Sequence, residues 1–308
     1  MKKIKNIKTV KNYYLLMTFI ALAFTGCSSN DDTSAPDVQV PIKLNSSVHL
    51  LRSSLQNTQI VAGQEVGFYL NITNESDYEI ANEKLTADGL GNFAHATMFY
   101  PTEGSSFVFS AYQPYSTIGL VDGNVNFSVK VDQSDQSDYL NSDLLYVRKL
   151  GVVRTTAAVP LVFDHKLSRM TFKVIKGGGA EISSLSKIEI LNVRPSVSMR
   201  ITDGILSEAT GEATTINAFA VTGGALGVES LSGSAAIIIP QVIATGTKLL
   251  AITIGEVTYT YTTTEPLSFD GGKSYDFQIK VDMAGITVTS TINDWINGGS
   301  IQGEGTIE

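Results

Sequence analysis

The stretch YDFQIKVDMAGITVTSTI, residues 275–292, decides the fold class of this chain. Apolar residues stand at every second position in its first half, at Phe277, Ile279 and Val281, and the alternation returns in its second half. Successive side chains of a β-strand point to opposite faces. The alternation therefore predicts strands with one buried and one solvated face.

The same period of two recurs along much of the chain. It is clear in residues 66–72, 127–131, 170–174 and 257–261. Residues 235–239 are apolar throughout, which predicts a central strand. Paired glycines and Asp-Gly steps mark turns between these runs, and long helical periodicity is scarce. The pattern predicts an all-β chain of antiparallel sandwiches.

The length of the chain indicates how many domains it forms, and its net charge indicates which kinds of partner it can bind. About 280 residues remain after residues 1–26, which suits two domains, and a break at Val159-Pro160 divides them into 40–158 and 159–308. The chain has a formal net charge of −8. Residues 1–26 hold 5 of the 22 basic residues and none of the 30 acidic ones, so 17 basic against 30 acidic residues leave about −13. Such a chain should repel nucleic acid and anionic lipid.

The first 26 residues have the layout of an export signal. Five lysines precede a run of 12 mostly apolar residues, Tyr13 to Phe24. A membrane-spanning helix needs about 20 apolar residues, so this run is too short to span. Phe24-Thr25-Gly26-Cys27 resembles the lipobox of bacterial lipoproteins, with Phe24 where leucine is usual. The alternative is an ordinary secretory signal with an incidental cysteine.

Cys27 is the single cysteine of the chain, which excludes a disulfide framework. The resemblance implies that this thiol carries lipid, the only covalent group we expect besides the polypeptide. Ser28 to Asp32 resembles the acidic tag that directs lipoproteins of the Bacteroides group to the outer face of the outer membrane. Residues 27–39 are otherwise expected to form a disordered acidic tether, because they cannot bury enough apolar area.

Six short segments occur in one characteristic order. They are Arg52-Ser53 ahead of GQEVGF (63–68), FVFSAY (107–112), DLLY (143–146), VFDHKLS (162–168), IIPQ (238–241), and GGKSY (271–275) running to Trp295. Together they resemble the fimbrillin family of Bacteroides-type bacteria, whose members build or decorate surface fimbriae. The resemblance implies two tandem transthyretin-like β-sandwich domains and other fimbrial subunits as partners.

The resemblance also implies a mode of assembly. A fimbrillin precursor travels as a lipoprotein, a trypsin-like protease cuts after an arginine near its first strand, and a strand from another subunit fills the vacated groove. An open sheet edge beside an apolar slot is a template for such a strand. Here the displaceable strand is predicted at 41–48, with Ile42, Leu44, Ser46 and Val48 on one face. Cleavage is predicted between Arg52 and Ser53, although Arg52 could instead be a solvated loop residue.

The donor strand is less well defined. After Trp295, which we expect to close a core, the sequence has only Ile301 and Ile307 as large apolar residues, and glycine weakens a strand. Stalk, tip and anchor roles therefore all stay open, as do the protease and the surface receptor.

No catalytic or metal-binding motif stands out. His49, His95 and His165 lie in separate segments without metal-ligand spacing. Asp132, Asp135 and Asp138 lack the glycine and distal glutamate of a calcium loop, which leaves a solvated acidic loop. We expect no enzyme, metal or cofactor. The main alternative is a surface glycan-binding lipoprotein, with candidate aromatic platforms at Tyr112, Tyr115, Tyr139, Tyr259 and Tyr261.

Overall fold

The computed structural model describes residues 39–48, 59–178, 184–220, 230–282, 285–294 and 300–307, and these form twenty strands and one short helix. In chain order they are β1 (Leu44–Val48), β2 (Glu65–Ile72), β3 (Ile80–Ala87), β4 (Phe93–Ala94), β5 (Phe107–Gln113), β6 (Asn124–Ser128), α1 (Gln136–Leu140), β7 (Leu145–Val152), β8 (Val159–His165), β9 (Ser168–Lys176), β10 (Leu185–Val193), β11 (Ser196–Arg200), β12 (Thr214–Ala220), β13 (Ser230–Ile238), β14 (Gln241–Ile243), β15 (Lys248–Ile254), β16 (Val257–Thr262), β17 (Leu267–Phe269), β18 (Lys273–Asp282), β19 (Gly285–Asp294) and β20 (Ser300–Ile307). The all-β prediction is confirmed. The predicted signal peptide and nearly all of the tether lie outside the described residues.

The first large sheet has seven strands in the order β1-β8-β7-β5-β2-β3-β4. Its pairings are antiparallel except for β1, which runs parallel to β8. The two ends of the sheet approach each other, because Asn45 of β1 forms an isolated bridge with Asn92, next to β4. The inward side chains of this sheet form one apolar core, in which Phe68, Phe109 and Phe163 are fully buried.

The second large sheet has nine strands in the order β12-β10-β15-β16-β20-β19-β18-β9-β13. The stretch that opened the sequence analysis forms most of β18 and β19, which pair from Lys273↔Asp294 to Asp282↔Gly285. The ends of this sheet also meet, since Ser234 Oγ of β13 donates a hydrogen bond to the Ala218 carbonyl of β12 at 3.0 Å. Its core lies on the face that carries Phe172, Phe277 and Ile279.

A small sheet and a buried tyrosine connect the two halves of the chain. β6 of the first half pairs with β11 of the second, whereas the other small sheet pairs β14 with β17 within the second half. Tyr146 of β7 donates from its hydroxyl to the Ile201 carbonyl at 2.7 Å and belongs to the core of the second sheet. The predicted boundary between 158 and 159 precedes β8, which pairs within the first sheet. The division into two domains stays a prediction.

Two details of the strand predictions were wrong. Residues 235–239 were expected in a central strand, but β13 ends the nine-stranded sheet. Residues 236–239 are nevertheless buried, and the Gln133 side chain bonds to the backbone of Ile237 at that edge. Val131 was expected to continue an alternating strand, but β6 ends at Ser128 and Val131 is 55% exposed. Within the part of the chain that the structure describes, no helix combines the length and apolarity that a membrane crossing requires.

Candidate functional site

The predicted displaceable strand, residues 41–48, lies in a groove at one end of the seven-stranded sheet; we call it the resident strand. On one side it runs parallel to β8, with Leu44 opposite Val159 and Val48 opposite Phe163. The amide of Val159 donates to the Lys43 carbonyl at 2.8 Å. Proline at position 41 suits this place, because proline is tolerated at the first residue of a strand.

The opposite side of the resident strand is also hydrogen bonded. The amide of Ile42 donates to the Met98 carbonyl at 2.9 Å, and that of Ser46 donates to the Gly91 carbonyl at 2.7 Å. Residues 91–100 therefore form a second wall, although only Phe93–Ala94 belong to a regular strand there. Gly91 has a φ of +97°, a conformation that glycine adopts without strain. A strand leaving this groove would unmask backbone groups on both walls.

The side chains of the resident strand alternate as the sequence predicts. Ile42, Leu44 and Ser46 are 2%, 5% and 7% exposed, and Val48 is half-buried against the same core. Complete burial of an isoleucine or leucine side chain stabilises a fold by about 1.5–3 kcal/mol. Ile42 and Leu44 are therefore the main apolar anchors of this strand.

Aromatic and aliphatic side chains form the floor of the groove. The rings of Phe68 and Phe109 meet edge to face, with centroids 5.1 Å apart, and Tyr100 lies 5.4 Å from Phe107. Leu161, which is opposite Ser46 in the β1–β8 register, is fully buried. The groove is thus an apolar slot between two backbone walls.

The predicted processing residues Arg52 and Ser53, and the predicted lipid carrier Cys27, lie outside the described residues. The structure does place the segments on either side of Arg52 and Ser53. Val48 packs against the core, and after residues 49–58 the chain returns at Ile60, which is 3% exposed and belongs to the same core. The predicted cleavage point therefore falls in a ten-residue connection between two anchored segments.

A buried acid–imidazole pair lies near the end of the resident strand. Nδ1 of His165 is 2.9 Å from one Asp143 carboxylate oxygen and 3.0 Å from the other, and the two side chains are 8% and 5% exposed. The pair joins the end of β8 to the segment before β7. Both residues line a cavity of about 30 Å³ that Val48 also borders.

The acidic loop at 132–138 uses its carboxylates in local hydrogen bonds. Asp132 accepts from the hydroxyl of Ser134 at 2.6 Å and from its amide at 3.1 Å, and these bonds hold the pKa of Asp132 below its ordinary value. Asp135 caps α1 by accepting from the Ser137 amide at 2.8 Å. Across the described ranges, histidine, cysteine and acidic side chains form no group of three that could hold a metal ion.

None of the tyrosines considered as glycan platforms is fully exposed. Tyr112 and Tyr261 are buried, and Tyr115, Tyr139 and Tyr259 are half-buried. The Tyr112 hydroxyl donates to Asn82 at 3.0 Å, and burial raises its pKa. A Cβ at Gly67 would overlap the Tyr112 ring, which explains the glycine in the GQEVGF segment.

Two parts of the site were not found from the sequence. The second wall, residues 91–100, has no alternation that could have indicated it. Gln133 falls within the predicted solvated acidic loop, yet it is 2% exposed and bonds to both backbone groups of Ile237. A single side-chain amide that hydrogen-bonds to a strand edge, in place of a neighbouring strand, produces no periodic pattern in the sequence.

Comparisons with known proteins agree on one family. The fimbrillin-like family model matches residues 52–295. A candidate fimbrium subunit, Fim1C of Bacteroides uniformis, is 26% identical over 310 residues, covering 96% of this chain and 99% of the relative.

Solved structures show the same fold. A candidate cell adhesion protein from Bacteroides uniformis superposes with a TM-score of 0.65 at 22% identity, and one from Bacteroides ovatus with 0.63 at 19%; each covers 84% of this chain and 99% of its own. The tip fimbrial protein Mfa3 of Porphyromonas gingivalis, with a C-terminal truncation, matches with a TM-score of 0.51 at 13% identity, over 83% of this chain and 100% of its own.

Proposed function

Because this chain belongs to the fimbrillin-like family, we propose that it is a structural and adhesive subunit of cell-surface fimbriae that assembles by protease-triggered strand exchange. The observation that carries the proposal is the position of the resident strand. It is hydrogen bonded on both sides and inserts Ile42 and Leu44 into the core. Its removal would leave a groove with two unsatisfied backbone walls and an apolar floor, which is what an incoming strand requires.

Cleavage between Arg52 and Ser53 would convert the resident strand into a separate, exchangeable segment. While the chain is intact, the strand is held at a high effective concentration beside its groove. After the cut, its retention depends on its contacts alone. A trypsin-like protease is thus the proposed trigger, and other fimbrial subunits are the proposed partners.

Acylation of Cys27 is proposed as the first attachment to the outer membrane, with the protein exposed on the cell surface. Lipid on a single cysteine tethers a protein without any membrane-spanning segment. Cys27→Ser in cells fed a labelled fatty acid should abolish incorporation of label into this protein. Label retained by the variant would exclude Cys27 as the carrier.

The decisive experiment follows the cleavage product. Treatment of the chain on the surface of the cells that produce it with an arginine-specific protease should give a new amino terminus at Ser53, followed by SDS-resistant complexes with other fimbrial subunits. Arg52→Ala should block both steps with trypsin and with the arginine-specific enzyme. Arg52→Lys is the matched control, because only trypsin should still cut it. Oligomers that form equally from the Arg52→Ala variant would overturn the proposal.

A tip or anchor role is a second candidate, favoured by the position of β20. Residues 300–307 pair with β19 on one side and with β16 on the other, so in this conformation they complete their own sheet. A subunit whose last described strand is used internally would accept a donor strand without offering this one. The lengths of fimbriae from wild-type and Arg52→Ala cells would distinguish these roles. Loss of long fimbriae in the variant supports a stalk role, and fimbriae of unchanged length support a tip or anchor role.

A further inference from the structure

The resident strand fits its groove unevenly. Ile42 and Leu44 fill the core, but the next two inward positions, Ser46 and Val48, fit it less well. The side chains at these two positions indicate which kind of strand would bind the groove better than the resident strand.

Ser46 places a polar atom in an apolar slot. Its side chain is 7% exposed, and its hydroxyl oxygen is enclosed with no hydrogen-bond partner among the described residues. The backbone amide of Ser46 is satisfied by Gly91, so the mismatch belongs to the side chain alone. A buried hydroxyl without a partner weakens the hold of a strand, because it loses its bonds to water.

The side chain of Val48 does not fill the cavity next to it. It borders the cavity of about 30 Å³, whose other walls include Ile60 and Leu145. That volume corresponds to about one water molecule. A longer aliphatic side chain at this position could extend into the cavity and bury more apolar surface.

We propose that Ser46 and Val48 make the resident strand a replaceable occupant, and that the groove selects a strand of another subunit with better side chains at these two positions. The preferred partner is an extended segment with four inward apolar residues. It has an apolar side chain at the Ser46 position and an aliphatic side chain longer than valine at the Val48 position. This inference rests on the proposed function, since it concerns the same groove.

The chain's own residues 301–307 do not satisfy this rule. Read in the same alternation, they supply Ile301, Gly303, Gly305 and Ile307, so glycine falls on the two middle positions. Glycine adds no side chain to the slot and costs conformational entropy. The selected partner is therefore a segment of different sequence.

The first test measures stability of the intact chain. Ser46→Ala removes the enclosed hydroxyl without adding volume, and Ser47→Ala, on the opposite face of the same strand, is the matched control. We expect a higher urea midpoint for Ser46→Ala than for the wild type, and no increase for Ser47→Ala. A lower midpoint for Ser46→Ala than for Ser47→Ala would overturn the role of Ser46.

The second test measures selection. The chain cleaved after Arg52 is titrated with fluorescent peptides PIKLNSSV, PIKLNASV and PIKLNASI, with PIKLNSAV as control, and binding is read by anisotropy. PIKLNASI should bind about tenfold more tightly than PIKLNSSV, which corresponds to about 1.4 kcal/mol. PIKLNSAV should match the natural peptide.

The two ways to fail are distinguishable. If all four peptides bind equally, exchange stands and the selection rule is overturned. If none binds to the cleaved chain, exchange itself fails, and the proposed assembly mechanism is overturned together with the rule.

Discussion

Both large sheets bring their two ends together, but they do so with different devices. In the seven-stranded sheet, the resident strand spans the space between β8 and residues 91–100. In the nine-stranded sheet, residues 131–133 lie between β12 and β13: Asp132 forms a parallel bridge with Asn217, and the Gln133 side chain bonds to Ile237. We call these the resident-strand closure and the Gln133 closure.

The two closures differ in how completely they are satisfied. The Gln133 amide accepts from the Ile237 N–H at 2.7 Å and donates to its carbonyl at 2.8 Å, and residues 236–239 beside it are fully buried. The resident strand instead contains an enclosed hydroxyl without a partner at Ser46 and a half-buried Val48. In a permanent closure, all buried polar groups should have hydrogen-bond partners. In an exchangeable closure, the strand should be retained firmly only while it is covalently attached.

The largest expected effects come from truncating one apolar anchor of the resident strand and one of β13, the strand that the Gln133 closure covers. Leu44→Ala and Ile238→Ala should each lower the free energy of unfolding by about 2–5 kcal/mol, because both side chains are buried. Urea denaturation of the intact chain measures both. After cleavage at Arg52 and replacement of the resident strand by PIKLNSSV, only the Ile238→Ala loss should remain. If the Leu44→Ala chain remained less stable than the wild type after this replacement, the distinction between the two closures would be wrong.

Removal of the Gln133 amide should have the next largest effect. Gln133→Ala leaves the N–H and carbonyl of Ile237 buried without their partner, at a cost of about 1–3 kcal/mol. Hydrogen exchange at the Ile237 amide should accelerate, while capture of PIKLNSSV by the cleaved chain should not change. Gln136→Ala, at an exposed position of α1, is the matched control. Unchanged exchange at Ile237 would contradict the closing role of Gln133.

Alkaline pH should weaken the Gln133 closure through Tyr139, in addition to its effect on buried tyrosines elsewhere in the protein, such as Tyr69 and Tyr146. Burial raises the pKa of Tyr139, on α1 beside this segment, to about 12 from its ordinary 10.0, although the Arg169 guanidinium lowers it in part. Between these values the folded state keeps a proton that the unfolded state releases, so stability falls as pH rises from 10 to 12. At pH 11 this loss is about 1.4 kcal/mol.

Tyr139→Phe should therefore lose less stability than the wild type between pH 8 and pH 11, as measured by urea unfolding at the two pH values. Parallel losses in the two proteins would show that Tyr139 does not contribute to the alkaline response.

The smallest expected effect concerns the helix cap. Asp135→Ala removes the acceptor for the Ser137 amide and should cost about 0.5–2 kcal/mol, at the low end because α1 has only five residues. Amide exchange should increase within residues 136–140. The resident strand should be unaffected, so an altered peptide affinity would contradict the independence of the two closures.

Much of the fold was predictable because strand alternation is local. Ile42, Leu44 and Ser46 alternate as the buried face of a strand, and the same holds for Met170, Phe172 and Val174 in β9. The cleavage and lipidation assignments at Arg52, Ser53 and Cys27 rest on sequence resemblance and stay predictions.

Other features could not be predicted because they depend on which segments meet. Residues 235–239 gave the signal of a central strand, since an apolar run reports burial on both faces and not the neighbour that provides it. Gln133 and Gly91 carry no periodic signal, because their roles exist only opposite Ile237 and Ser46.

The sequence by itself determined the strand segments, the family and the inward face of the resident strand, because each is encoded in neighbouring residues. The tertiary structure alone decided the order of the strands, the second wall of the groove and the closure of both sheets. Those features arise from hydrogen bonds and packing between residues distant in the chain, for which local alternation contains no information.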